Sequence, residues 1–491
     1  MKDSPGMSIA GRIGAAAAAG LAACLAMRCV AAPYVVAVER ETAADPAWKA
    51  VADALAAKHS AATLTYDGNT NLVSLLPALK RTRPRHVCFV SRPEAAGRDL
   101  VVGAAQLLRG IDDDPYGDAL WGILTGYEAA DAMRVVKAPR AREIGRVATS
   151  MGSAGALAGW KAGFASNEGN RNDFWRKRPG GEVESLSTGG NPARSLAEAF
   201  NTIDVDYFVT SGHATQRDWQ IIYNRNEGSL RHDGEARLRF MNPGGGIYYV
   251  TNACPKIYLA AGNCLIGNVD RRDCMATAWM HSGGVEQMCG YTAVTFFGFM
   301  GWGVKSLLED GRCSFAEAYY LQNQMLLWAL SRRDGELASR KIAPEDFGDG
   351  RGTRGFSQAH IDVLADEVVG GMVTRIDRDA FGLLWDRDIV AFYGDPAQAV
   401  TMPASRRSMN VRVKGSEVEI EFLRDVAFGD LVDVKSARPV IALLDVPPEG
   451  ARLVDESGRP VPDAVVNDMF VIVPVRGRRT AGERLRFRVA R

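Results

Sequence analysis

Short apolar runs alternate with amphipathic segments over most of the chain. Early runs begin at Tyr34, Ala62 and His86, and helical patterns over 46–58 and 71–81 separate them. Strands that alternate with helices are typical of βαβ units, which place their strands in a parallel sheet. The pattern therefore predicts an N-terminal α/β subdomain over 33–138.

A second set of runs begins at Arg146 and predicts a further α/β subdomain over 139–404. Within it we expect a Gly/Ala helix over 154–164 and a polar loop over 167–181. The charged segment 219–246 predicts an irregular surface insertion. The fold class is thus α/β, with a parallel sheet flanked by helices in two subdomains.

The composition changes from about Ser408 onward. Segments that alternate apolar and polar residues, such as 418–422 and 470–475, are separated by Gly, Pro and Asp. Short strands at regular spacing without helices are typical of a small β-sandwich. We therefore expect residues 405–491 to form a separate all-β module.

Two apolar runs end in a reactive side chain. Residues 206–213 stop at Gly212-His213, and residues 257–264 stop at Asn263-Cys264. Because ligands and catalytic groups lie at the carboxyl ends of parallel strands, this histidine and cysteine can be neighbours in space. A thiolate that attacks and an imidazole that protonates the leaving group are what nucleophilic thiol catalysis needs.

The first 32 residues have the pattern of a signal peptide. Lys2 and Arg12 precede an Ala-rich apolar stretch over 13–27, which is short for a transmembrane span. Residues 21–24 are similar to a bacterial lipobox, which would lipidate Cys24 and anchor the protein to a membrane. Ordinary cleavage near Ala31 is the alternative. Either way we expect an exported protein, which is secreted, periplasmic or held in the cell envelope.

Charge and metal-ligand spacing point to no further partner. The net charge is +1, so composition gives no reason to expect nucleic acid. Eight cysteines show no zinc-ligand spacing, and no metal is expected. Cys254 and Cys274 could pair or be small buried residues. The acidic run 112–114 could be a calcium loop, although a solvated turn is the preferred interpretation.

At the two strand-ends the sequence resembles the gingipain-like cysteine peptidases, a family within the caspase–haemoglobinase fold. The matches are residues 209–213 and 259–264, followed by the segments 264–268 and 274–278. The segment 393–396, Tyr-Gly-Asp-Pro, looks like the end of the family's catalytic domain. The resemblance covers most of residues 34–491, and it implies an immunoglobulin-like sandwich at the C-terminus.

The resemblance implies a role for each matched residue. His213 would be the general acid and base, and Cys264 the nucleophile of a cysteine endopeptidase that needs no cofactor. The backbone N–H groups of Ala214 and Cys264 would stabilise the oxyanion. Glycine is usual at position 214, and the alanine methyl group would be strained if φ were positive. Asn263 is a second departure, since the family often has Ala or Ser there.

Other residues are weaker candidates for the site. Asp173 or Glu168, in a loop before the dyad, could attract an Arg or Lys side chain of a protein substrate. Tyr291 and Trp302 could wall a substrate pocket, although core packing is equally compatible with the aromatic-glycine run 296–303. His232 and His281 are the other candidate bases, whereas His59 and His360 have no cysteine context. Two alternative functions stay open, a catalytically inactive binding protein and a cysteine transpeptidase.

Overall fold

The computed structural model describes residues 34–222, 227–347, 378–428, 438–445, 450 and 452–490. The predicted signal peptide with its lipobox at Cys24 lies outside the described residues, and so does His360. In the part of the chain that the structure describes, no helix combines the length and the apolar character that a membrane span needs.

A twelve-stranded sheet forms the centre of the molecule and runs through both predicted α/β subdomains without a break. From edge to edge its strands begin at residues 62, 34, 86, 120, 390, 285, 256, 207, 146, 162, 170 and 183. In chain order they are Tyr34–Glu39, Ala62–Tyr66, His86–Val90, Leu120–Leu124, Arg146–Thr149, Ala162–Asn167, Asn170–Lys177, Val183–Leu186, Tyr207–Thr210, Lys256–Ala260, Val285–Tyr291 and Val390–Tyr393.

The sheet is mixed and not purely parallel, which corrects the sequence prediction. The Val390–Tyr393 strand lies between the two halves, parallel to Leu120–Leu124 and antiparallel to Val285–Tyr291. The last three strands at one edge also pair antiparallel, since Asn170–Lys177 forms hairpins with both of its neighbours.

Helices pack against the sheet because its central strands are apolar on both faces. In Tyr34–Glu39 all six residues are buried; Val35 and Ala37 face the larger core, whereas Val36 and Val38 face a second core. This alternation follows from the two-residue period of a strand. The described α-helices are Arg40–Ala44, Pro46–His59, Leu76–Thr82, Arg98–Leu108, Ala129–Lys137, Pro192–Thr202, Met275–His281, Phe299–Glu309, Phe315–Arg333, Gly335–Ser339 and Arg378–Asp388.

Three segments that precede the cysteine strand-end differ from their sequence prediction. The expected helix over 154–164 is a 3-10 turn, Ala154–Leu157, followed by a strand from Ala162. The expected loop over 167–181 contains the strand Asn170–Lys177. The expected irregular insertion over 219–246 folds into a four-stranded antiparallel sheet of Asp218–Gln220, Ser229–His232, Leu238–Met241 and Ile247–Tyr249.

The C-terminal residues form small antiparallel sheets that share one apolar core. One sheet orders Met409–Lys414, Glu417–Phe422, Arg484–Ala490 and Arg452–Asp455; another orders Val440–Leu443, Phe470–Val473 and Val465–Val466; a third pairs Val426–Phe428 with Gly477–Arg479. Alternate residues of the Phe470–Val473 strand face opposite ways. Val471 and Val473 pack in the small core, whereas Phe470 and Ile472 pack in the large one. The β-unit is therefore docked on the α/β unit through a shared apolar layer.

Candidate active site

The strand ending before His213 and the strand ending before Cys264 are direct neighbours. Tyr207–Thr210, here the histidine strand, pairs in parallel with Lys256–Ala260, here the cysteine strand, and Thr210 lies opposite Ala260. His213 comes three residues after Thr210, and Cys264 four residues after Ala260. Because the strands are parallel and in register, both reactive side chains belong to loops at the same edge of the sheet.

Asn263 links the loops that carry the two side chains. Its amide nitrogen donates to the carbonyl oxygens of Ser211, at 2.8 Å, and Gly212, at 3.1 Å. Its Oδ1 accepts the hydroxyl of Thr210 at 2.6 Å. The side chain is completely buried. In the sequence Asn263 is only a departure from the family pattern. The structure shows that its amide joins the two loops.

Small residues allow the same two loops to approach each other closely. A Cβ at Gly262 would lie 2.6 Å from the hydroxyl oxygen of Ser211, so no side chain fits there without movement. Gly212 has a φ of 92°, which favours glycine. Gly262 is therefore required because a side chain would not fit, and Gly212 because of its backbone conformation.

Cys264 lies half-buried beside a backbone donor. The N–H group of Thr295 points at its Sγ atom over 3.3 Å. Burial raises the pKa of the Cys264 thiol, and the Thr295 N–H opposes this effect only in part. The group is therefore a thiol at neutral pH, and a base must remove its proton before it can attack.

The loop that carries His213 is held by several bonds, while the histidine itself is exposed. The indole N–H of Trp219 donates to the carbonyl oxygen of Ser211 over 2.9 Å, and the N–H of Gln220 donates to the carbonyl oxygen of His213 over 2.8 Å. Ala214 is buried and forms a β-bridge with Trp219. Since Ala214 does not have a positive φ, its methyl group causes none of the strain considered from the sequence.

Glu168, and not Asp173, is the carboxylate next to the histidine loop. Its Oε2 lies 3.3 Å from the position of a Cβ at Gly212, and this buried oxygen has no hydrogen-bond partner among the described residues. Burial raises the pKa of Glu168 to about 7. Asp173 instead uses both carboxylate oxygens inside its own hairpin, where they accept from Asn167 at 2.9 Å and Asn170 at 3.0 Å.

Tyr291 and Trp302, both considered as pocket walls, lie in different places. Tyr291 is completely buried, which contradicts a role as the wall of an open pocket; its hydroxyl donates to Asp386 and accepts from the N–H of Gly301. Trp302 is 37% exposed, and its indole nitrogen lies 3.6 Å from the Cβ position of Gly262. Trp302 therefore stands beside the cysteine loop, where it can contact a ligand.

Three other histidines in the described ranges pair with carboxylates. His59 stacks on Tyr34 and forms a 2.7 Å hydrogen bond with Asp395. Asp395 belongs to the Gly-Asp-Pro segment and is completely buried. His232 lies 2.7 Å from Asp273, and His281 lies 3.0 Å from Asp131. These pairs give each of the three histidines a structural partner.

The acidic loop is less solvated than the sequence suggested. Asp118 is buried, and one oxygen each from Asp112, Asp118 and Asp468 lie within 4.8 Å of one another. Burial, followed by repulsion from Asp112 and Asp114, raises the pKa of Asp118 to about 8. These three carboxylates could hold a divalent cation; with its pKa at about 8, the Asp118 carboxyl group is otherwise mostly protonated at neutral pH.

The described cysteines form no disulfide. All six, including Cys254 and Cys274, are free thiols. Cys274 is buried at the start of the Met275–His281 helix, where its sulfur contacts the Thr277 hydroxyl at 3.4 Å. Cys254 is half-buried, as Cys264 is, whereas the remaining four are buried.

Comparisons with known proteins give only distant similarity. No protein-family model matches the sequence, and no curated protein matches it. Among solved structures the chain is similar to the Arg-specific cysteine proteinase gingipain R, with 10% identity and a TM-score of 0.36 over 90% of this chain and 91% of the other. It is also similar to a structure described as a protease, with 7% identity and a TM-score of 0.38 over 92% and 97%. Neither similarity is close enough to assign a role to any residue.

Proposed function

We propose that the protein is an exported cysteine endopeptidase that uses Cys264 and His213. The observation that carries the proposal is the pairing of the histidine and cysteine strands, parallel and in register, with Asn263 joining the two loops beyond them. Export rests on the leader pattern of residues 1–32 alone.

The proposed reaction follows from the chemistry of these two side chains. His213 takes the proton of the Cys264 thiol, and the sulfur attacks the substrate carbonyl carbon. Collapse of the tetrahedral intermediate breaks the C–N bond as His213 protonates the leaving amine. Water, deprotonated by His213, then hydrolyses the thioester. The N–H groups of Ala214 and Cys264 are the proposed oxyanion donors, and this chemistry requires no cofactor.

Two residues suggest what the site prefers in a peptide. Glu168 offers an unpartnered carboxylate oxygen beside Gly212, which would attract a basic side chain. Trp302 offers an exposed ring beside Gly262, suited to contact with the peptide backbone or an apolar side chain. We therefore propose cleavage after Arg or Lys.

One observation favours a second candidate, a binding protein that has the fold but no activity. Burial raises the pKa of Cys264, whereas active thiols usually have a lowered pKa. In such a protein the β-unit and the exposed loops would bind a partner.

A peptide library separates the two candidates. The purified protein is incubated under reducing conditions with peptides varied at the residue before the cut, alongside Cys264→Ala and His213→Ala. We expect cleavage by the wild type and a loss of about 1000-fold or more in each variant. Cys254→Ala is the matched control, since it also removes a half-buried thiol. No cleavage of any peptide by the wild type would support the binding protein, and products of added amines would indicate transpeptidation.

A further inference from the structure

Asn263 connects the loop that carries His213 to the loop that carries Cys264 through side-chain hydrogen bonds. We propose that it is a positioning residue, which fixes the histidine loop relative to Cys264 and so couples the imidazole to the thiol. The proposal rests on the cysteine–histidine chemistry given above, and it assigns a function to a residue whose side chain is completely buried.

The position of Asn263 in the chain makes the coupling direct. Its backbone continues into Cys264, and its side chain bonds the two carbonyl groups that precede His213, at 2.8 and 3.1 Å. No strand pairing reaches these residues, because the register of the two strands ends at Thr210 and Ala260. The side-chain amide thus continues the connection between the strands beyond the end of the sheet.

An amide is the group that this position needs. The Thr210 hydroxyl donates to Oδ1 over 2.6 Å. This bond orients the amide, so that Oδ1 faces the strand and the N–H₂ group faces the two carbonyls. Thr210 is itself held by the hydroxyl of Tyr258 at 2.9 Å. A carboxylate would face two carbonyl oxygens without a proton to donate. Alanine or serine is too short to span the distance, so the loops would lose this connection.

The histidine loop depends on such outside support. The His213 side chain is exposed. Gly212 has a φ of 92°, and glycine gives the backbone more freedom than other residues do. Trp219 holds Ser211 from the other side, but Trp219 belongs to the histidine segment and not to the cysteine loop. Asn263 joins the residues directly beside His213 and Cys264, whereas Arg217 joins the same loops farther away, to Asp270 at 2.6 Å and to the carbonyl of Asp273 at 2.9 Å.

The test measures the coupling without requiring peptidase activity. Alkylation of Cys264 by iodoacetamide is followed from pH 5 to 9 by mass spectrometry of the Cys264 peptide, in wild type and in His213→Ala. We expect an inflection that depends on His213 in the wild type. In Asn263→Ala we expect the profile to resemble that of His213→Ala. In peptide hydrolysis we expect kcat to fall ~100-fold while KM changes less than about threefold.

Gln287→Ala is the matched control for loss of stability. Gln287 is also a fully buried amide that donates to two backbone carbonyls, those of Asp395 at 3.1 Å and Gln398 at 3.0 Å. We expect it to lower the melting temperature as Asn263→Ala does, but to keep the wild-type alkylation profile. Thr210→Val, which keeps the shape of the side chain and releases Oδ1, is the second variant; it should shift the profile in the same direction by less.

The outcomes separate this proposal from the proposed function. A wild-type profile in Asn263→Ala, with only a lower melting temperature, would overturn the positioning role. The absence of any His213-dependent inflection in the wild type would overturn it as well, since there would be no coupling to maintain. If the inflection exists and Asn263→Ala removes it while no peptide is cleaved, the positioning role stands and the endopeptidase assignment fails.

Discussion

At the scale of single residues, burial decides which charged groups can act in chemistry. Glu168 and Asp173 stand five positions apart in one hairpin, yet only Glu168 has a buried oxygen without a hydrogen-bond partner. Desolvation alone raises the pKa of Glu168 to about 7. The carboxyl group is therefore largely neutral below pH 7 in the free protein and becomes charged above it.

This titration gives a prediction for substrate preference. With a substrate that has Arg before the cut, KM should fall as the pH rises from 6 to 8, because ionised Glu168 attracts the guanidinium group. Glu168→Gln should remove this trend and reduce the preference for Arg over its neutral isostere citrulline by ~10- to 100-fold.

The control is Asp173→Asn, whose carboxylate is engaged within its hairpin. It should keep the pH trend in KM and the preference for Arg. An unchanged preference in Glu168→Gln, measured as the ratio of kcat/KM values, would show that another group recognises the substrate.

At the scale of elements, the Phe299–Glu309 helix supports the cysteine loop by close backbone contact. A Cβ at Gly301 would lie only 2.1 Å from the carbonyl oxygen of Ala261, three residues before Cys264. The N–H of Gly301 donates to the buried hydroxyl of Tyr291 over 3.0 Å. Tyr291 therefore contributes to the site indirectly, by anchoring the helix that carries Trp302.

We expect Gly301→Ala to push this helix away from the cysteine loop. The overpacking should lower the free energy of unfolding by ~1–3 kcal/mol, although alanine normally favours a helix over glycine. The change is measured by urea unfolding, and peptide cleavage should weaken in parallel because the loop that carries Cys264 moves.

Gly335→Ala is the matched control, because Gly335 is also helical and no atom lies within 4 Å of its Cβ position. That substitution should change the free energy of unfolding by less than about 1 kcal/mol. If both variants lost the same free energy of unfolding, the close contact with Ala261 would not be the cause of the destabilisation.

At the scale of the whole molecule, the β-unit and the α/β unit share an apolar layer. Phe470 is completely buried in the large core, edge-on to Tyr116 at 5.1 Å and near Tyr320 at 6.3 Å. Hydrogen bonds to backbone carbonyls cross the same boundary, among them those from Trp328 to Asp463 at 2.9 Å and from Arg85 to Leu444 at 2.7 Å.

Phe470→Ala should therefore loosen both units together. Truncation of a buried phenylalanine typically costs ~3–5 kcal/mol. Hydrogen exchange should become faster in the β-unit and also around Tyr116 and in the Phe315–Arg333 helix.

Phe422→Ala removes an equally buried ring from the small core alone. We expect faster exchange within the β-unit and little change around Tyr116. Exchange confined to the β-unit in both variants would show that the units are energetically independent.

Patterns that are local in the sequence predicted the elements well. The strands Ala62–Tyr66, His86–Val90 and Arg146–Thr149 begin where the apolar runs do. The reason is that residue spacing determines which face of an element is apolar, and Gly, Pro and Asp mark where it ends. The α/β class of the fold follows from the same patterns.

The errors arose where the local pattern was ambiguous. The small residues over 154–164 suit a helix, but Gly163 has a φ of 151°. A Cβ added at Gly163 would lie 2.0 Å from the carbonyl oxygen of Val147 in the neighbouring strand. Close pairing of strands, and not helix propensity, decides that segment. The polar hairpin around Asn170 was missed because its strand lies next to the edge of the sheet, where most of its residues are only partly buried and few need to be apolar.

The sequence by itself determined the elements and singled out His213 and Cys264 as the ends of two strands. Only the tertiary structure decided that these strands pair, that Val390–Tyr393 joins the two halves of the sheet, and that Asn263 connects the reactive loops. It also decided that Tyr291 is buried and that Glu168 faces Gly212. The physical reason is that spacing along the chain defines faces and ends, whereas neighbours and desolvation depend on which distant segments pack together.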